Sequence, residues 1–395
     1  MSPDVLSRRT VAFVNIAHAL DHFVLLIYPT AVLAIAAERG VDYATLIGLS
    51  TGAFVAFGLF SLPMGWLADR YGRRNLLAAF FLGCGASCLA LSQADTPATF
   101  AVLLLVLGAF TAIYHPIGSA MLVTHARQLG RDLGVNGVWG NLGAALASGV
   151  TALIAAYLGW RAAFAVPGLV CLGAGAAFLA MVPGDGAPAG ARAGSAPPQV
   201  PARPLLVVAI FAAAIIAGGM TFNMLTIALP KVIDERLGLA LPLALTGSLA
   251  TLVFVLGALT QLAVGRLIDR VPLATLFVGL ALLQPVGLGL AAATMGVPLL
   301  IGLGLAMAAI YGQVVVNDAM VARYVALEWR ARAFSIRYFL GFTTSGLAVP
   351  LIALLHGGGG FALVLAVGAA FGGAIFACAL AFRLALAAPP RAVAA

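Results

Sequence analysis

The sequence predicts an all-α integral membrane protein, with twelve transmembrane helices arranged as two pseudo-symmetric six-helix bundles. Three observations predict it. The 395 residues are 63% hydrophobic and 9% charged, with a mean hydropathy of +1.10, more apolar than a soluble domain of this length. The apolar residues fall into repeated runs of about 20, the length that crosses the hydrocarbon core of a bilayer. The phrase Gly-x-Leu-x-Asp-Arg also occurs twice, as Gly65-Trp66-Leu67-Ala68-Asp69-Arg70 and Gly265-Arg266-Leu267-Ile268-Asp269-Arg270, 200 residues apart and each ending an apolar run. A fixed offset of that size marks an internal duplication.

The first span, 10–37, is too long for the core of a signal peptide, lacks a small-residue cleavage site and is followed by further spans, so it reads as helix 1. Helix 2 (43–68) runs into the first aspartate phrase, which continues Tyr71-Gly72-Arg73-Arg74. Helix 3 (74–93) carries Cys84 and Cys88 on one face, a pairing that is geometrically poor within one helix; with Cys171 and Cys378 they read as small packing residues. Helix 4 (97–124) contains Tyr114-His115-Pro116, and helix 5 (131–158) the run Gly134-Val-Asn136-Gly137-Val-Trp-Gly140-Asn-Leu-Gly143. Helix 6 (160–182) ends at the one clear linker, 183–203, whose surroundings from Pro183 to Pro204 hold six of the 20 prolines and few large apolar side chains. The linker divides an N-terminal bundle, 1–182, from a C-terminal bundle, 204–395. Helices 7 to 12 follow at 204–232, 242–266, 272–294, 296–322, 330–355 and 359–384. The duplication extends through them: Pro29 matches Pro230, Tyr114 matches Tyr311 and Gly140 matches Gly341, at offsets of 197 to 201. Many glycines and alanines let such helices approach closely.

The net charge of +8 suggests nucleic acid until its placement is read. With the N-terminus in the cytoplasm, all Lys and Arg fall on the cytoplasmic side or its boundary except Arg39, Arg161, Lys231 and Arg236. The basic balance therefore reports topology, with both termini inside the cell and the inner membrane as the expected location. No nucleic-acid partner is expected; the partners are the bilayer, protons and a small-molecule substrate. Parallel duplicated halves point to a transporter that rocks one half against the other.

Asp21 lies near the middle of helix 1, where a charge costs about 3 kcal/mol on insertion scales. Loss of water disfavours the charged carboxylate, so Asp21 is placed to take and release protons. It could equally be pinned by a neighbouring helix for structure alone. Asn15, His18 and His22 share one helix face, with Asp21 at its edge, and His115 opens the Pro116 break in helix 4. The functional reading is an Asp/His proton relay of Asp21, His18, His22 and His115. For each histidine alone, the plainer reading is a hydrogen-bonded packing residue. Three histidines and an aspartate also suit a divalent metal. They lie on two helices, no Cys or Glu joins them, and the stretch 17–22 is no known metal motif, so neither a metal nor a cofactor is expected. Asp318 in helix 10 and Arg337 in helix 11 read as a buried ion pair, since one unpaired buried charge is worse than two. Alternatively Arg337, which the repeat aligns with Asn136, binds an anionic substrate. Gly48-Leu-Ser50-Thr-Gly52 matches a hydrolase pattern, but inside an apolar span it is a packing face. No nucleophile–base pair stands out, so no enzyme is expected.

Six spans plus six, a central linker, and Gly65-x-Leu-Ala-Asp69-Arg-x-Gly72-Arg-Arg between helices 2 and 3 resemble the major facilitator superfamily over the whole chain. The second copy keeps Gly265, Asp269 and Arg270 and loses the later Gly-Arg-Arg. Ala17-His18-Ala-Leu-Asp21-His22, Tyr28-Pro29 and Tyr114-His115-Pro116 are similar to a subgroup, the fosmidomycin resistance proteins. The Gly-Pro step that many drug antiporters carry on helix 5 is absent. The resemblance implies that helices 1, 4, 7 and 10 line a central cavity. The polar groups expected there are Asn15, His115, Asn223 and Gln313, with Arg337 of helix 11. It further implies that Gly65, Asp69, Arg70, Gly72, Arg73, Asp269 and Arg270 form a conformational latch, with Asp69 facing the N-terminus of helix 11, and that the protein acts as a monomer. The implied activity is proton-driven export of a small polar or amphipathic compound. Symport of an organic anion is the alternative within this fold, and a non-transporting scaffold or sensor the alternative outside it.

Overall fold

The computed structural model describes residues 3–126, 128–184, 204–238, 240–268, 270–324 and 327–387. Most of the linker (185–203) and Asp269 lie outside the described residues. Among those described, the regular structure is α-helical throughout. Eleven runs are long and apolar enough to cross a membrane, from Val5–Arg39 to Phe339–Leu386. The last holds two spans, because Gly359 and Gly360 leave helical geometry, Gly360 at φ 62°. A side chain there would be strained, so glycine lets helix 11 (327–358) turn back into helix 12 (361–387). The twelve expected helices are therefore present.

Several are broken where the sequence removes a hydrogen bond. Helix 1 consists of Pro3–Leu25 and Ile27–Arg39. Pro29 has no N–H for the carbonyl of Leu25, and the N–H of Leu26 is shared between the carbonyls of His22 (3.3 Å) and Phe23 (3.2 Å). Helix 4 is likewise interrupted between Pro97–Thr111 and Tyr114–His125, where Pro116 deprives Ala112 of its donor. Both interruptions stand beside histidines of the predicted cluster. Other ends are capped locally. Asp42 Oδ1 accepts from the Thr45 N–H at 2.9 Å as helix 2 begins, and Thr96 and Thr99 form a reciprocal box at the start of helix 4.

The two halves repeat the same pairings. Helix 5 (Leu129–Leu158) packs on helix 1, as helix 11 packs on helix 7 (Pro204–Arg236). Helix 4 packs on helix 2, as helix 10 (Gly296–Tyr324) packs on helix 8 (Leu243–Leu267). Helix 3 (Arg73–Leu91) meets helix 6 (Trp160–Met181), as helix 9 (Leu273–Ala293) meets helix 12 through Phe277 and Phe382, 6.1 Å apart. Backbones touch at glycines. A Cβ at Gly108 would overlap the Ala53 carbonyl, and one at Gly143 the Ala19 carbonyl. Cys84, Cys88 and Cys171 are buried free thiols, and Cys378 is a half-buried one, as expected for packing residues.

The bundle has a basic end, carrying the Gly65–Arg74 loop, and a distal end, carrying Asp42, Asp95 and Arg236. The halves touch from the distal end to mid-depth. Helices 5 and 8 meet at Gly247 against Ser148 and Ala152, and Thr251 both accepts from the Gly149 N–H (3.0 Å) and donates to the Ala145 carbonyl (2.6 Å). Asn141 bonds Gln261 one step further along. Helix 2 meets helix 11 at Val55 and Gly346. Beyond mid-depth the halves part: Leu59, Leu62 and Trp66 of helix 2 are all more than half exposed, and Met64–Tyr71 packs on helices 3 and 4 of its own half.

Candidate functional site

The break in helix 1 comes one turn after His22, the break in helix 4 comes just before Tyr114-His115, and the two helices pack on each other. His18, His22, His115 and Tyr114 form one ring cluster. His18 stacks on Tyr114 at 4.8 Å, and His115 stands edge-on at 5.4 Å from both His18 and His22. One nitrogen of each histidine lies within 4.8 Å of the others. The rings are half-buried, whereas Asp21 is fully buried behind them. Neither oxygen of Asp21 accepts a hydrogen bond, and Oδ2 lies 3.4 Å from His115 Nε2. The sequence-predicted group Asp21, His18, His22 and His115 is thus brought together.

Helix 5 supplies the frame. The Asn136 carbonyl sits 2.8 Å from His18 Nδ1, its Oδ1 accepts from the Tyr114 hydroxyl at 3.1 Å, and its Nδ2 donates to Asn15 Oδ1 at 2.9 Å. Asn15 is therefore a buried strut of the cluster. Gly140 makes the space, since a Cβ there would overlap the His18 imidazole. Asn136 and Tyr114 were not singled out as site residues from the sequence. The available signals were a polar side chain within the helix 5 glycine run and a tyrosine next to His115.

The facing half contributes amide and hydroxyl groups. Asn223 donates to the Gly219 carbonyl at 2.8 Å and to Thr344 Oγ1 at 3.3 Å, half-buried as expected of a cavity residue. Gln313 departs from expectation. Its Oε1 accepts from Gln284, which in turn accepts from Thr221, and the side chain is buried inside the C-terminal bundle. Helix 10 also carries Asn317 and Asp318 on different faces, so its pattern did not specify which way this amide would turn. Arg337 does donate to Asp318, but only the guanidinium is well buried, at 11% exposure against 43% for Asp318. The expected buried pair is half open because it lies near the basic end, where the halves have separated.

The latch residues sit at that same end. Gly72 has φ 81° and links helices 2 and 3. Arg73 donates to Thr124 Oγ1 at 3.1 Å, and Arg74 donates to the Leu179 carbonyl at 2.7 Å, covering the C-terminus of helix 6. Asp69, Arg70, Gly65 and Arg270 are exposed. Asp69 is exposed, and the N-terminal turns of helix 11 that it is expected to face lie among residues whose side chains are not described. The distal end is closed instead by residues that the sequence did not single out. Tyr43 packs edge-on against His356 at 5.2 Å, Lys231 pairs with Asp234 (2.7 Å) and Glu235 (3.4 Å), and Glu235 reaches His356 at 3.2 Å. Their signal was the charged run Lys231 to Arg236 at the end of an apolar span.

A family model described as Major Facilitator Superfamily matches residues 11–319. The chain belongs to the major facilitator superfamily. As a member it is a transporter of small molecules embedded in a membrane, and not an enzyme. Two solved structures of a bacterial homologue of the human lysosomal transporter Spinster share its fold. The inward-facing, occupied form has a TM-score of 0.75 at 12% identity over 98% of this chain and 96% of that one. The inward-facing, unoccupied form has a TM-score of 0.68 at 13% identity, covering 96% of each chain. Puromycin resistance protein pur8 of Streptomyces alboniger is 33% identical over 114 residues, which is 28% of this chain and 23% of that protein. The chain thus spans under a quarter of the length of this curated relative.

Proposed function

We propose that this facilitator is a proton-coupled exporter, an antiporter that moves a small polar or amphipathic compound out of the cell by alternating access. The observation that carries the reading is Asp21, fully buried at mid-depth with no hydrogen bond to either oxygen, beside the half-buried ring of His115. A carboxyl in that position alternates between a neutral, protonated form and a charged form that needs a partner. The histidines pass the proton to the cavity, and substrate and proton occupy the cluster in turn. Export into an acidic exterior then runs downhill in proton free energy.

The excess of Lys and Arg at the basic end supports a cytoplasmic position for it, with both termini inside and the protein in the inner membrane. On that orientation the conformation described is open to the cytoplasm, with Asp69 exposed at that end. Asp69→Asn should leave ligand affinity intact and slow exchange; lost affinity in a folded variant would count against the assignment. The likeness to the fosmidomycin resistance proteins and the puromycin resistance protein favours drug-like cargo, and a monomer is the functional unit proposed.

The test is survival of an efflux-deficient bacterium on a compound panel that includes fosmidomycin and puromycin. Wild type and Asp21→Asn are compared at matched membrane levels. Protection by wild type that is lost in Asp21→Asn supports the proposal. Protection by both removes Asp21 from coupling. Protection by neither favours uptake of an organic anion, a reading that the half-open Arg337–Asp318 pair keeps in play.

A further inference from the structure

The ring cluster has a second chemistry that proton relay does not use. We propose that His18, His22 and His115 bind one divalent transition-metal ion of the zinc type, leaving a fourth coordination position toward the cavity. The inference shares with the proposed function only the location of the cluster.

Three arguments support it. The first is convergence: one nitrogen from each ring lies within 4.8 Å of the other two. A tetrahedral ion about 2.0–2.1 Å from each nitrogen needs them roughly 3.3 Å apart. The rings must close inward by at most about 1 Å, a side-chain adjustment. Imidazole nitrogen favours zinc, cobalt, nickel and copper over magnesium and calcium.

The second is orientation. Metal-bound histidines hold their other ring nitrogen on a backbone carbonyl or a carboxylate. The carbonyl is in place for His18, and the carboxylate stands beside His115. His18 Nδ1 is 2.8 Å from the Asn136 carbonyl, which can only accept, so Nδ1 carries the hydrogen and Nε2 the lone pair. His115 Nε2 lies 3.4 Å from Asp21 Oδ2 without hydrogen-bonding it, so a small rotation of the ring on metal binding would complete that second support. The third is charge. Three neutral imidazoles leave a dication uncompensated, whereas Asp21, fully buried and accepting no hydrogen bond, supplies one negative charge behind the ligands.

The test uses the purified full-length protein, stripped of metal and titrated with Co2+ and then Zn2+. One equivalent of Co2+ should bind with the intense visible bands of a four-coordinate ion, be displaced by Zn2+ and be unaffected by Mg2+. His22→Gln should abolish the bands and weaken Zn2+ at least tenfold. Asp21→Asn, which changes only an orienting group, should keep them and weaken Zn2+ by about 10–100-fold. Unchanged elution and helical content show that each variant is folded. Absence of saturable Co2+ binding, or binding that survives both His22→Gln and His115→Gln, overturns the inference. Compound export without metal binding overturns it while leaving the proposed function intact; metal binding without export does the reverse.

Discussion

Replacing Asp21 with asparagine separates a working carboxyl from a structural one by the sign of its effect on stability. The side chain is 0% exposed, and its nearest polar atom is His115 Nε2 at 3.4 Å. A well-made hydrogen bond to a charged group contributes about 1.5–3 kcal/mol, and neither oxygen of Asp21 makes one. Holding the charge at mid-helix costs about 3 kcal/mol on insertion scales. Asparagine keeps the shape and removes the charge. The variant should therefore be as stable as wild type or up to about 2 kcal/mol more so, a rise in Tm of no more than about 4 °C. Thermal unfolding in one detergent at one scan rate reads this directly, beside the export assay. A Tm several degrees lower, with export retained, would make Asp21 a structural pin and remove it from the mechanism.

Other expectations follow from particular contacts. Gly143→Ala puts a Cβ onto the Ala19 carbonyl and should destabilise by about 1–3 kcal/mol, whereas Gly134→Ala meets open space and should be neutral or stabilising; paired melting curves compare them. Glu235→Gln removes the longer of the two pairs of Lys231 and the charge that faces His356, and should loosen the distal closure. Spin labels at Asp42 and Gly357 would then show longer separations, and an unchanged distribution would deny the pair a closing role. Asp42 titrates below the usual carboxylate range, held there first by the Thr45 hydroxyl and then by the Thr45 N–H. Its folded value is depressed, so the cap is fully formed above the ordinary carboxylate value and is lost as pH falls through the lowered one. Thr45 amide exchange should therefore show no cap-dependent change from pH 5 to 8 and a faster opening only in strong acid.

The fold was almost wholly legible, because spans in a bilayer are set by length and apolarity rather than by subtle packing. Pro29 and Pro116 even marked where helices 1 and 4 break. The cluster was half legible. Spacing put His18 and His22 on one face, but Asn136 came to them only through the tertiary contact of helices 1 and 5. Gln313 was misjudged because its helix carries polar residues on more than one face, and only the tertiary contact with Gln284 fixes which way the amide turns. The state of Asp69 was beyond reach, since one sequence encodes every conformation of the cycle and the position of the latch is a property of only one.

The seam between helices 5 and 8 is built from Asn141, Ala145, Ser148, Gly149, Ala152, Gly247, Thr251 and Gln261, all uncharged. The distal charged network of Lys231, Glu235 and His356 lies within the C-terminal half and meets the other half through the Tyr43 ring. Exposed charges are screened over about 8 Å at physiological salt, whereas short neutral bonds are not. Salt in the medium should thus act on that network and leave the fulcrum alone. The balance of open and closed forms would shift with the surroundings, while the axis about which the halves turn stayed the same.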